Sequence, residues 1–230
     1  MIPLNDFLCI IVIWDKPKIS CFKKKFFNVK TGCCIVDIGS NVGLFTRQLI
    51  NLNVNNEFYC YEPDEQNFKL LERNLASFCN VQMFNFALGT DDETRSFYCD
   101  TSNAGNYSFF QQAVPQDFEV KTCVVKDISV QEKVWSAIQK PIVYKSDTQG
   151  LDETLICAID LEFWKSVHFG SIEIWNIEKP MFDIDRFALF LENFHYKYFE
   201  SNPKNLLSTN DIIKFCSQQD DTTEDLIFFK

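Results

Sequence analysis

Cys33-Cys34-Ile35-Val36-Asp37-Ile38-Gly39-Ser40-Asn41-Val42-Gly43 decides how this chain folds. Cys33 to Ile38 is a continuous apolar run with one acid near its end, as a strand buried on both faces reads. Gly39 permits a tight turn and close backbone approach to a ligand, and Gly43 permits close helix packing. Leu44 to Leu52 then reads as a helix, with Phe45, Leu49 and Leu52 on one face. The pattern differs from the dinucleotide fingerprint G-x-G-x-x-G, which seats pyrophosphate on a helix N-terminus. Here a carboxylate stands two residues before the first glycine, where it repels phosphate and suits an ammonium group.

Outward from this turn, strands and helices alternate. Phe58 to Tyr61 is a second strand, closed by Glu62-Pro63 because proline biases the residue before it to extended geometry. A helix follows from Asp64, with Phe68, Leu71, Leu75 and Phe78 at helical spacing. Val81 to Ala87 reads as a third strand. Residues 95–99 and 119–126 alternate like strands around a polar loop at 101–118. Ile128 to Ile138 reads as a helix, Ile142 to Ser146 as a strand, and a helix begins near Leu151. Ser171 to Ile177 is a strand and Ile184 to Phe194 a helix. Strands at Tyr196 to Glu200 and Leu226 to Phe229 flank a helix that Thr209 or Asn210 could cap. Repeated β-α-β units imply an α/β fold: a doubly wound, mainly parallel sheet with helices on both faces. No Pro/Gly/Ser linker divides it, so residues 31–230 read as a single domain, preceded by a segment, 1–30, to which no role is assigned.

Composition agrees with a folded α/β chain. The 230 residues are 46% hydrophobic and 23% charged, which is ordinary globular usage. Twenty-two Lys and Arg against 32 Asp and Glu give a net charge of −10, the wrong sign for a nucleic-acid binder. The ten cysteines form no C-x-x-C and lie far from His168 and His195, so no metal site is expected. Several cysteines sit in apolar runs and read as reduced and buried, which points to a cytoplasmic location. The apolar run Phe7 to Trp14 is too short to span a bilayer. Asp6 stands where a signal peptide would carry positive charge. The run reads as a packing segment, with membrane-surface contact through Lys23-Lys24-Lys25 as the alternative.

Open parallel sheets bind ligands at the carboxyl ends of their strands, and three such ends here carry acids: Asp37, Glu62 and Asp147. Glu62 can accept both hydroxyls of a ribose. Asp37 with Glu62 therefore describes a ligand bearing an amino group and an adenosine ribose, and S-adenosylmethionine has both.

Four segments carry a family resemblance. They are Val36 to Thr46; Tyr61-Glu62-Pro63-Asp64 with Asn67-Phe68, Leu71 and Asn74; Asn85-Phe86-Ala87-Leu88-Gly89; and Tyr144-Lys145-Ser146-Asp147-Thr148-Gln149-Gly150-Leu151-Asp152. In this order they resemble the FkbM family of class I S-adenosylmethionine-dependent methyltransferases, over about residues 33–180. Ser40 replaces a common Ala and Gln149 a common Glu. The resemblance implies a Rossmann-like methyltransferase fold with a seven-stranded sheet, and O-methylation of a hydroxyl on a sugar, glycan or secondary metabolite. It places Asp37, Gly39, Asn41, Gly43, Glu62, Pro63 and Ala87 at the cofactor. Asp147 is the candidate base, and Asn106, Tyr107 and Gln149 are candidate acceptor contacts.

Strand alternation points Lys145 away from the pocket, though it could pair with Asp147. Asp147 could instead cap the helix from Leu151. The loop 102–109 could cover the pocket. Partners are then a small-molecule or glycan acceptor, without nucleic acid and without an integral membrane span. A degenerate non-catalytic cofactor-binding module is the alternative function, and an NAD-dependent oxidoreductase a more distant one.

Overall fold

The computed structural model describes residues 32–51, 56–177, 179–180, 182–218 and 220–230. In chain order its elements are β1 (Cys34–Ile38), α1 (Leu44–Ile50), β2 (Glu57–Tyr61), α2 (Glu65–Leu75), β3 (Val81–Phe84), β4 (Ala87–Gly89), β5 (Glu93–Asp100), β6 (Tyr107–Ser108), β7 (Phe118–Asp127), α3 (Ile128–Ser136), β8 (Ile142–Ser146), α4 (Asp152–Ala158), β9 (Val167–Trp175), α5 (Ile184–Leu191), β10 (Tyr196–Phe199), α6 (Thr209–Cys216) and β11 (Thr223–Phe229). The expectations for Phe7 to Trp14, Cys9, Cys21 and Lys23-Lys24-Lys25 lie outside the described residues.

Seven strands form one sheet in the order β3-β2-β1-β8-β9-β11-β10. β1 is buried along its whole length, as its unbroken apolar run requires. It pairs in parallel with β2 on one side and β8 on the other. β2–β3 and β8–β9 are also parallel, while β11 runs antiparallel to both β9 and β10. Alternate residues of β1 enter two cores. Cys34, Val36 and Ile38 pack with Ile128 and Trp135 of α3, Leu155 and Ile156 of α4, and Phe187 and Phe190 of α5. Ile35 packs with Phe45 and Leu49 of α1 and with Leu71 and Leu75 of α2. Helices therefore cover both faces of a doubly wound, Rossmann-like sheet, and the expected seven strands are present.

The run expected as one strand from Val81 to Ala87 is divided. Asn85 donates its side-chain amide to the carbonyls of Glu62 (2.9 Å) and Pro63 (3.2 Å), and the chain leaves the main sheet there. β4 instead opens a second, four-stranded sheet in the order β4-β7-β5-β6. The loop expected at 101–118 contains β6 and a short 3-10 helix, Gln111–Ala113. Lys121 of β7 pairs with Asp64 at the start of α2 (2.8 Å), which fastens the second sheet to the first.

Two smaller details differ from expectation. β9 begins at Val167 rather than Ser171. Ser208 caps α6 in place of Thr209 or Asn210, through a reciprocal capping box with Asp211. The described cysteines are free, and Cys33, Cys34, Cys60, Cys99 and Cys123 are buried. No helix among the described residues is long and apolar enough to cross a membrane.

Candidate functional site

A cleft of about 620 Å³ opens at the carboxyl ends of β1, β2, β8 and β9, roofed by the loop between β5 and β6. Its floor is the glycine turn. Gly39 has φ +71°, and a Cβ on it would meet the Asp147 carbonyl oxygen at 2.1 Å. The turn is stitched to both neighbouring strands: Gly39 and Ser40 donate their N–H groups to the Tyr61 carbonyl (3.0 and 2.9 Å), and Asp147 N–H donates to the Ile38 carbonyl (3.1 Å). Gly43 lies outside the lining. A Cβ there would meet Leu71 at 2.7 Å, so this glycine lets α1 approach α2.

Glu62 forms one wall. Its two oxygens accept N–H groups of Asn41 (2.8 Å) and Asp64 (2.9 Å), tying the glycine turn to the start of α2. It is 5% exposed. Burial pushes its carboxyl up to about 7; those two N–H groups oppose the shift and the neighbouring Asp64 charge adds to it. Pro63, Ala87, Leu88, Phe86 and Phe97 continue this wall as a largely apolar surface.

The roof is built on Asp100. One of its oxygens accepts the N–H groups of Ser102 and Asn103 and the Ser102 hydroxyl; the other accepts the Asn106 amide. At the far side of this loop, the Ala104 carbonyl accepts two amide donors, Asn41 Nδ2 and Asn67 Nδ2, each at 2.9 Å. Asn103, Ala104, Gly105, Asn106 and Tyr107 all line the cleft.

The opposite end gathers Asp147, Gln149, Glu173, Trp175 and Thr223. Gln149 Nε2 donates to both carboxylates, Asp147 Oδ1 (2.9 Å) and Glu173 Oε2 (2.6 Å). Gln149 holds φ +55°, a left-handed conformation that a side chain rarely takes and that recurs at ligand-contacting turns. Asp152 organises this turn. It accepts the Ser146 hydroxyl and both the N–H (3.2 Å) and hydroxyl (2.8 Å) of Thr148. Leu151, the residue before α4, offers it no side-chain cap.

The cleft thus brings together Gly39, Asn41, Glu62, Pro63, Ala87, Asn106, Tyr107, Asp147 and Gln149. Asp37 does not line it. That residue is fully buried, with Oδ2 accepting the Thr46 hydroxyl (2.8 Å) and Oδ1 in an ion pair with Lys145 Nζ (3.2 Å). Lys145 is buried too, and its nearest approach to Asp147 is 3.8 Å.

No family model matches the chain, and no curated protein matches it significantly. Its likenesses are to solved structures. One is an rRNA methylase from Streptococcus thermophilus, 10% identical over 94% of this chain and 97% of that one, with a TM-score of 0.47. A precorrin-6y methyltransferase from Geobacter metallireducens is 11% identical over 93% and 88% of the two chains, with a TM-score of 0.42. A Streptococcus mutans protein in complex with SAH is 9% identical over 95% and 99%, with a TM-score of 0.46. At such identities the likeness describes the path of the chain alone.

Sequence reasoning passed over Glu173, Trp175 and Thr223. The first two share the face of β9 that alternation gives to Ser171, so the pattern held a signal. Thr223 opens the antiparallel strand β11, whose place beside β9 no local pattern announces.

Proposed function

We propose that the cleft binds S-adenosylmethionine and that the protein transfers its methyl group to a hydroxyl of a sugar or another small, uncharged polar acceptor. The observation that carries this reading is Glu62: a buried carboxylate on the cleft wall, one backbone N–H on each oxygen, beside a glycine turn that no side chain fills. Those residues fit an adenosyl group. Glu62 would take the ribose hydroxyls, the Gly39 turn would admit the chain beyond the ribose, and Ala87, Leu88 and Phe86 would flank the base.

When bound, the cofactor supplies a methyl group on a positively charged sulfur, already activated for in-line displacement. What remains for the protein is alignment and proton removal. Asp147, partly exposed at the cleft's other end, would accept the proton that the acceptor hydroxyl loses as its oxygen bonds to the methyl carbon. Gln149 would hold that carboxylate in place from Oδ1. Trp175 offers a flat apolar face and Glu173 further acceptor oxygens, a combination suited to a polyhydroxylated ring.

The charge of the lining opposes an anionic acceptor. Among the described residues it contains the carboxylates Glu62, Asp147 and Glu173 and no Lys or Arg. A nucleic-acid acceptor needs the reverse, since phosphate contacts dominate such affinity.

Calorimetry with S-adenosylmethionine tests the cofactor assignment. Wild type should bind, and Glu62→Ala should weaken binding by about 1.5–3 kcal/mol, the range for hydrogen bonds to a charged group. Unchanged affinity would remove the ribose assignment. Transfer of labelled methyl to a panel of saccharides and small polyols, with RNA alongside, tests the acceptor. Label in RNA alone would overturn it.

A further inference from the structure

Asp37 and Lys145 are cross-strand neighbours. β1 and β8 run parallel with these two residues in register, so both side chains leave the sheet on the same face. Neither reaches solvent: Asp37 is 0% and Lys145 4% exposed. The lysine ammonium lies 3.2 Å from Asp37 Oδ1 and donates to the carbonyls of Gly39 (2.8 Å) and Ile38 (3.2 Å). An ammonium has three N–H groups to place. One carboxylate and two carbonyls at the mouth of a glycine turn are the acceptors that a ligand's amino group would seek from this loop.

We propose that Lys145 is a positioning residue whose ammonium takes the place beside Asp37 and the Gly39 carbonyl that a bound cofactor's amino group would otherwise fill, so that the cleft selects ligands by their adenosyl part. This rests on the cofactor reading above. The cause is the cost of exchange. A ligand ammonium could enter only by stripping a buried lysine of its partners, and a buried charge without partners is strongly unfavourable. Asp37 thereby acts through Lys145. The pair clamps the carbonyls of the glycine turn between β1 and β8, and the acid at the end of β1 presents no charge to the ligand.

Two probes decide it by calorimetry: S-adenosylhomocysteine, and 5′-methylthioadenosine, which lacks the amino-acid end. Wild type should bind the two within about fivefold, a difference near 1 kcal/mol. Lys145→Met frees Asp37 and the Gly39 carbonyl, so it should favour S-adenosylhomocysteine by about tenfold or more, the scale of hydrogen bonds to a charged group. Asp37→Asn/Lys145→Met removes both buried charges and should return the ratio to that of wild type. If Lys145→Met alone fails to fold, the wild-type ratio and the double variant still give the answer. A wild-type preference for S-adenosylhomocysteine beyond fivefold that disappears in the double variant would overturn the proposal and leave the cofactor reading intact. Failure of wild type to bind either compound would overturn both.

Discussion

Gly39 and Asp147 meet backbone to backbone: a single added methyl on Gly39 would lie 2.1 Å from the Asp147 carbonyl oxygen. The turn proposed to admit the cofactor and the strand end proposed to offer the base are thus one packed unit. Gly39→Ala forces either the turn or the Asp147 peptide to move. The left-handed backbone alone costs about 1–2 kcal/mol with a Cβ present, and the clash adds to it. The variant should melt below wild type and lose adenosyl-ligand affinity together. A variant that melts with wild type and binds normally would show that the two segments are not coupled.

Ligand binding should rise with pH through the titration of Glu62. Burial, opposed by the Asn41 and Asp64 N–H groups, lifts that carboxyl to about 7, and a ribose hydroxyl is held better by the ionised form. Affinity should therefore climb between about pH 6 and 8 in wild type and stay flat in Glu62→Gln. Stability should run the other way. A carboxyl whose pKa is raised on folding favours the folded chain at low pH, and that contribution is lost as pH rises through about 7. Glu153, also lifted to about 7 by burial against the opposing Lys179, acts in the same direction. Denaturant midpoints should fall from about pH 5 to 8, and fall less in Glu62→Gln. Equal slopes would assign the whole effect elsewhere.

Asp147→Asn should keep adenosyl-ligand affinity and lose most methyl transfer. Asparagine preserves the shape and can still bond to Gln149, but it accepts no proton. Removal of a general base costs about 10²–10⁴ in rate. Single-turnover rates on an acceptor found in the panel would measure it. A variant within about threefold of wild type, under 1 kcal/mol of barrier, would leave alignment as the whole of catalysis.

Asn67→Ala should loosen the roof without unfolding the chain. The Ala104 carbonyl then keeps one amide donor, Asn41, of its two. Stopped-flow traces should show faster ligand entry and faster release, with release accelerated by about fivefold for one lost hydrogen bond of around 1 kcal/mol. Unchanged release would mean that the roof is held by Asp100 and its turn alone.

Much of the main sheet was legible because its strands declare themselves locally. The run Cys33 to Ile38 is too apolar for anything but a strand covered on both sides, and Glu62-Pro63 punctuates the next. The second sheet was not legible as a sheet. β4 has three residues and β6 two, and their pairing is fixed by partners far along the chain. At the site, the strand-end acids Glu62 and Asp147 were found by position. Asp37 was found and given the wrong exposure: alternation turned Lys145 away from the pocket, and register, which sequence does not show, set the lysine beside the acid. Glu173 and Trp175 were missed for want of a motif around them.

The strand order has a consequence for synthesis. β1 pairs with β2 about two dozen positions later, but its other neighbour, β8, pairs Cys34 with Ile142. Contacts so far apart form late, since the intervening loop must be closed first. While the chain is being made, the glycine turn therefore exists for more than a hundred residues without Lys145, Asp147 or the backbone that Gly39 rests on. The antiparallel ribbon of β5 and β7, by contrast, closes over a short stretch, from Asp100 with Phe118 to Glu93 with Val125. A small molecule that binds the cleft can stabilise the finished protein by mass action, yet has nothing to grip on the nascent one.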